Sequence, residues 1–265
     1  MRRIQRLIFR AAAKAIAFRA EIWLWLILDS APLLILLIIW QGIYGNAEQL
    51  NGVQFHSVIF YYLLVFLVEL GTAAHFESWR INEIREGKID FYLTKPLGYL
   101  SELSLRHIGD KAMSIILKIP LLIVFLLIIE LVFHPTLPIS TLGNFLQSIP
   151  ILIGAFIVQF YLSAIIVLLG FWLENAEGLD HFRWLTTSIF SGIVIPFAFL
   201  PQELLKIAQF LPFKYLHSVP VLVMLGQQTV NVYDYVYLGG FCLGLATVTL
   251  WLWQKARKRY SAYGG

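Results

Sequence analysis

Three charged side chains interrupt the long apolar runs of this chain: Asp29, Glu69 and Lys118. Inside a bilayer, an isolated charge costs about 2.5 to 3.5 kcal/mol on insertion scales unless it meets a partner or water. Glu69 and Lys118 fall in the inner halves of consecutive apolar runs, and two readings fit them. They form a structural ion pair or snorkel toward the interface, or they line a polar vestibule open to the cytoplasm. In the second reading, with Asp29, they would carry an ion or a proton. Other chemistry finds little material. Six scattered histidines and the single Cys242 give neither metal-ligand spacing nor an intrachain disulfide. No nucleophile and base stand at a spacing that suggests covalent catalysis. A phosphate-binding loop is also missing at its best candidate: Gly87 and Lys88 are followed by Ile89 instead of Ser or Thr, and position 82 is Asn82. Leu225–Gln228 is too short and wrongly placed to be an ATPase signature.

The elements that position these charges follow from composition. The chain has 265 residues, 59% hydrophobic and 14% charged, against about 25% charged in an ordinary soluble domain. That deficit implies an all-α polytopic membrane protein. Six spans are expected, near Ile22–Ile43, Ser57–Phe76, Ala112–Phe133, Phe145–Leu173, Phe182–Leu200 and Val232–Trp253. The fourth is long enough to be tilted, or broken near Pro150. No small-residue cleavage site follows the first run, so it is expected to stay as an anchor. Lys and Arg concentrate on one side of such a topology: Arg2–Arg19, the segment between spans two and three, Arg183, and Lys255–Arg259. The positive-inside rule then puts both termini in the cytoplasm. A net charge of +4, with basic residues at the ends of apolar runs, argues against a nucleic-acid partner.

Four regions stand out within this frame. Residues 1–21 read as a basic amphipathic helix lying on the inner leaflet. Residues 201–231 hold apolar pieces too short to span, Gln202–Phe210 and Val219–Gly226. Pro196, Pro201, Pro212 and Pro220 punctuate this stretch, which suits a re-entrant outer segment. Gly239, Gly240 and Gly244 in span six would allow close helix packing, within the chain more than across a dimer seam. Residues 77–111 carry a third of the chain's charged residues. There Ser78–Glu86 reads as a short helix capped by Gly87, with Ile81, Ile84, Ile89, Tyr92 and Leu93 as apolar teeth among charges of both signs. Such a segment fits a groove on a soluble partner, or else is a solvated loop helix.

The order of these elements resembles the permease subunit of an ABC-2 type ABC transporter, across essentially the whole chain. The resemblance is carried by the basic N-terminal helix and by the run Ile84–Leu97, with Gly87, the Ile89–Asp90 pair, Leu93 and the Lys95–Pro96 pair. It is also carried by Ser191–Pro201, Leu211–Tyr215 and Pro220. The resemblance implies that residues 22–254 form the transmembrane domain, with 77–111 as a cytoplasmic coupling loop and 255–265 as a basic tail. It implies coupling to an ABC ATPase subunit through Ile81, Ile84, Arg85, Gly87, Ile89, Asp90, Tyr92, Leu93, Lys95 and Pro96. It further implies a second permease subunit, as a homodimer or heterodimer, in a bacterial plasma membrane. The chain itself would be no enzyme and hold no cofactor, with ATP and Mg on the ATPase, and would export an amphipathic or lipid-like substrate. The rival is an ion- or proton-coupled secondary transporter built on Asp29, Glu69 and Lys118. A third reading is a non-transporting membrane scaffold.

Overall fold

The computed structural model describes residues 19–89, 98–133, 141–173 and 176–259. The expected N-terminal amphipathic helix, Asp90–Leu97 and the end of the tail lie outside these residues. In chain order the elements are α1 (Arg19–Tyr44), β1 (Gln49–Leu50), β2 (Val53–Gln54), α2 (Phe55–Thr72), α3 (Glu77–Arg85), α4 (Tyr99–Phe133), α5 (Leu142–Leu169) and α6 (Glu177–Phe190). A 3-10 turn (Phe197–Phe199), α7 (Gln202–Phe210), a second 3-10 turn (Pro212–Tyr215), α8 (Ser218–Met224) and α9 (Val232–Arg259) complete them. Among the described residues three helices are long and apolar enough to cross a membrane: Phe55–Arg85, which joins α2 and α3, Leu142–Leu169 and Val232–Arg259. A shorter apolar helix covers Ala31–Tyr44. The protein is an all-α membrane protein.

The chain divides into two units, Met1–Leu63 with Asp110–Leu137, and Leu64–Gly109 with Pro138–Gly265. In the first, α1 buries a stripe of Leu33, Leu37, Trp40 and Tyr44, while Ile35, Ile38 and Ile43 are exposed. A helix greasy on every face has lipid as its solvent. The turn after it is legible residue by residue. Asn51 (φ 50°) and Gly52 (φ 75°) are both left-handed, as a two-residue hairpin of this hand requires. They set the pairs Gln49 with Gln54 and Leu50 with Val53. Tyr44 Oη donates to the Val53 carbonyl (2.9 Å), and Trp40 Nε1 donates to Tyr62 Oη (2.6 Å).

The second unit is arranged around α5. This helix runs unbroken through Pro150, since missing backbone bonds are tolerated in membrane helices where neighbours re-satisfy the carbonyls. Toward its start, Ile151, Ala155 and Val158 pack with Tyr215, Leu216, Val219 and Val223 and with Leu238 of α9. Toward its end, Phe160, Ala164, Val167 and Leu168 pack with Ile84, Ile89, Tyr99, Leu103 and Leu252. Close approach of α5 and α9 depends on Gly154, where a Cβ would overlap the Leu238 side chain. The glycines expected to do this, Gly239, Gly240 and Gly244, have no other atom near their Cβ positions among the described residues. They face away from α5 because Leu238, Phe241, Cys242 and Leu245 occupy the packed side.

The expected fifth span is shorter than its apolar run. α6 stops at Phe190, and Gly192 (φ 86°) turns the chain into bends before Pro196. Its 14 residues fall short of the about 20 that a wholly helical crossing needs, so a crossing here would include the bends over 191–200. α7 and the Pro212–Met224 piece then meet at a 79° break. Each proline sits where its missing N–H costs least. Pro201 precedes the first residue of α7, Pro212 opens its 3-10 turn, and Pro220 lies in the first turn of α8.

Candidate functional site

α3 ends in a turn that its sequence dictates. Gly87 (φ 70°) donates to the Ile84 carbonyl (3.1 Å), and Lys88 N–H to the Glu83 carbonyl (3.0 Å). This double closure is a Schellman motif, with glycine at the one left-handed position. The helix is polar overall, yet Glu77, Arg80, Ile81, Glu83 and Ile84 are buried. Ile81 packs with Ile166 and Ala176, and Ile84 and Ile89 with Tyr99, Leu103 and Leu168. These isoleucines are therefore not teeth offered to another protein. A short helix lying on α5 must bury one face, and positions 81 and 84 are one turn apart on it. The face left to water carries Ser78, Trp79, Asn82, Arg85, Glu86 and Lys88. Arg85 Nη1 donates to Asn82 Oδ1 (3.5 Å), Lys88 pairs with Glu86, and the Arg106 guanidinium lies 4.4 Å from the Trp79 ring centroid. Asp90, Tyr92, Leu93, Lys95 and Pro96 lie outside the described residues.

A buried ionic joint fixes the start of α3. Arg183 of α6 donates through Nη2 to Glu77 Oε1 (2.7 Å) and to Asp180 Oδ1 (2.7 Å), with the Ala74 carbonyl 3.4 Å away. The Glu77 side chain is 2% exposed. Removing one member of a buried ion pair strands its partner and costs about 3 to 5 kcal/mol. Beside it, Ser163 Oγ donates to the same Ala74 carbonyl (3.4 Å). On the next turn of α5, Gln159 Nε2 donates to Thr72 Oγ1 (2.9 Å), whose own proton goes to the Val68 carbonyl (2.8 Å). The end of α2 is thus stitched to α5 and α6 by polar groups.

A second joint ties α2 to the proline-punctuated segment. His217 Nε2 lies 2.7 Å from Glu69 Oε2, and His75 Nε2 lies 3.4 Å from Glu69 Oε1. Each carboxylate oxygen thus meets an imidazole. One residue on, Ser218 N–H donates to the Ser191 carbonyl (2.9 Å) at the end of α6. Tyr215 Oη donates to Asp234 Oδ1 (2.6 Å), which holds the same segment to α9. Among the described residues no group of three or more His, Cys, Asp or Glu is placed to hold a metal ion. Lys118, read with Glu69 as an ion pair, a snorkelling charge or part of a polar vestibule, belongs to the other unit, and none of these readings is tested by it. Asp29 lies in α1, and its side chain is outside what the structure describes.

Between α2 and α5 lies an apolar cavity of about 390 Å³, lined by Leu64, Leu67, Phe145, Ile149, Phe156 and Met224 among others. Thr72 reaches its wall, but its hydroxyl is already engaged, so the cavity suits an aliphatic surface.

Reasoning from sequence placed Arg183 only as a topology marker and His217 only near an interface. Gln159 and Asp180 it missed. A lone amide inside an apolar run, or a carboxylate at the edge of one, is the signal that could have found them, because such a group must be paired when buried.

No curated protein and no solved structure matches the chain. The family model described as ABC-2 family transporter protein matches residues 31–264, which include α2, α3, both polar joints and the whole proline-punctuated segment, and the chain belongs to that family.

Proposed function

We propose that this chain is the permease half of an ATP-driven exporter, coupled to a separate ABC ATPase subunit that docks on α3 and the residues following it. The observation that carries this reading is α3 itself. It is a short polar helix, anchored from below by three buried isoleucines and by Arg183, that turns Asn82, Arg85, Glu86 and Lys88 outward. A rigidly seated helix with a charged outer face is suited to receive force from a soluble protein, charge complementarity setting register. Six crossings with both termini cytoplasmic, in a bacterial plasma membrane, agree with the distribution of Lys and Arg. Residues 201–231 then re-enter the membrane from outside. Two such halves, identical or related, enclose the pathway, and ATP with Mg resides on the partner. The apolar cavity supports an amphipathic or lipid-like cargo.

The test is co-purification of the chain with a P-loop ATPase, followed by assay of transport in sealed vesicles. Retention of the ATPase and ATP-dependent transport support the reading. The Glu69–His217–His75 cluster favours one rival, a proton-coupled carrier using Glu69 with Asp29 and Lys118. Transport that ignores ATP and follows a proton gradient would establish the rival.

A further inference from the structure

The last turns of α9 carry Trp251, Trp253, Lys255, Arg257, Lys258 and Arg259. One side of them is packed. Leu252 joins the cluster of Tyr99, Leu103 and Leu168, Ala256 is fully buried, and the Trp253 ring stacks on Tyr99 with centroids 4.9 Å apart. This helix end is therefore held against the start of α4. At about 3.6 residues per turn, Trp251, Lys255 and Lys258 form one stripe on the open side. Trp251 is 55% exposed there, and all four cations are exposed.

No carboxylate among the described residues pairs with Lys255, Arg257, Lys258 or Arg259. Two of these cations instead lie over the tryptophan one turn back. Lys255 Nζ is 5.4 Å from the Trp251 ring centroid, and Arg257 Cζ is 5.8 Å from that of Trp253. One turn back is toward the apolar run. A lysine or arginine at the end of a spanning helix ordinarily stretches away from hydrocarbon to keep its head in water. These two fold toward it, to the height of rings that settle at the headgroup level of a bilayer.

We infer that this end of α9 binds an anionic phospholipid, with Lys255 and Lys258 on the headgroup phosphate and Trp251 against the upper acyl chain. Charge complementarity names the occupant. Four cations without acidic partners, directly beside a spanning helix, attract anionic headgroups. A zwitterionic headgroup brings its own ammonium and gains little. The inference rests on the spanning of α9 proposed above. It needs neither the ATPase nor transport, so the two readings fail separately.

The full-length chain in lipid nanodiscs tests this. In a Cys242→Ser background, Gln254→Cys places a thiol beside the basic stripe for a bimane label. Phosphatidylglycerol or phosphatidylcholine, brominated high on the acyl chain and diluted into plain phosphatidylcholine, quenches the label on contact. At equal mole fraction phosphatidylglycerol should quench more. Lys255→Gln and Lys258→Gln should each lower that preference about fivefold, while Lys255→Arg with Lys258→Arg should retain it. Trp251→Leu keeps an apolar side chain but releases Lys255, and should lower the preference about twofold to fivefold. Lys206→Gln, on α7, should leave it unchanged, as should dissolved glycerol phosphate. Equal quenching by the two lipids would assign the cations to a soluble partner and overturn the site. So would a preference unmoved by Lys255→Gln and Lys258→Gln, or an equal loss with Lys206→Gln. Displacement by glycerol phosphate at the lipid's own concentration would overturn it too, by showing a phosphate site without a lipid.

Discussion

Arg183 and Glu77 stand 106 residues apart in sequence and 2.7 Å apart in space. Through that contact the helix expected to meet a soluble partner is joined to the helix that leads into the proline-punctuated segment. Removal of either charge strands the other in a buried site. Arg183→Ala and Glu77→Leu should each lower stability by about 3 to 5 kcal/mol, and Arg183→Lys by less. Denaturant titration in mixed micelles checks the order. If Arg183→Ala proves no more costly than an exposed change such as Lys206→Ala, the joint contributes nothing.

Charge reversal on the exposed face of α3 separates docking from folding. Arg85→Glu with Lys88→Glu should abolish ATPase co-purification and leave the unfolding midpoint unchanged. Ile84→Asp should instead unfold the chain, because that side chain is packed under the helix. An assembled, fully coupled Arg85→Glu/Lys88→Glu variant would move the docking surface elsewhere.

Much of the local structure was legible because its causes are local. Asn51–Gly52 announces its hairpin, Gly87 its helix end, and α7 its bounds between Pro201 and Pro212. What escaped were decisions made at a distance. Ile81, Ile84 and Ile89 looked like teeth for a partner because a helical pattern shows which residues share a face without showing what covers it. The length of α6 was misjudged since apolarity continues past Gly192, where the backbone does not. The contact between Glu69 and His217 could not be read either, because His217 comes from a segment whose place no periodicity encodes.

The Thr72–Gln159 bond should show the asymmetry of buried polar pairs. Both residues are buried. Thr72→Val alone leaves the Gln159 amide without its acceptor and should cost about 1 to 3 kcal/mol. Thr72→Val together with Gln159→Leu should cost less than the single change. A double-mutant cycle on unfolding free energies checks the sign, and strictly additive costs would show the bond to be idle.

Two glycines should differ sharply. Gly154→Ala drives a methyl into Leu238, whereas Gly244→Ala meets nothing among the described residues. The first should destabilise by about 1 to 3 kcal/mol, and the second should be neutral or slightly stabilising in helix α9. The same micelle titration distinguishes them, and a costly Gly244→Ala would reveal a surface against that glycine.

The sequence separation of 148 between Glu69 and His217 also sets an order of assembly. A chain grows at about 5 to 20 residues per second, so α2 exists for roughly 7 to 30 seconds before its histidine partner has been made. Throughout that interval a carboxylate sits near the end of an apolar helix, with only His75 and water to satisfy it. Membrane insertion must therefore leave this end of α2 hydrated or hold it in a protein surface until the last third of the chain arrives. Lateral release into lipid before then would strand the charge, so for this protein the final fastening of the second helix waits on the synthesis of the eighth.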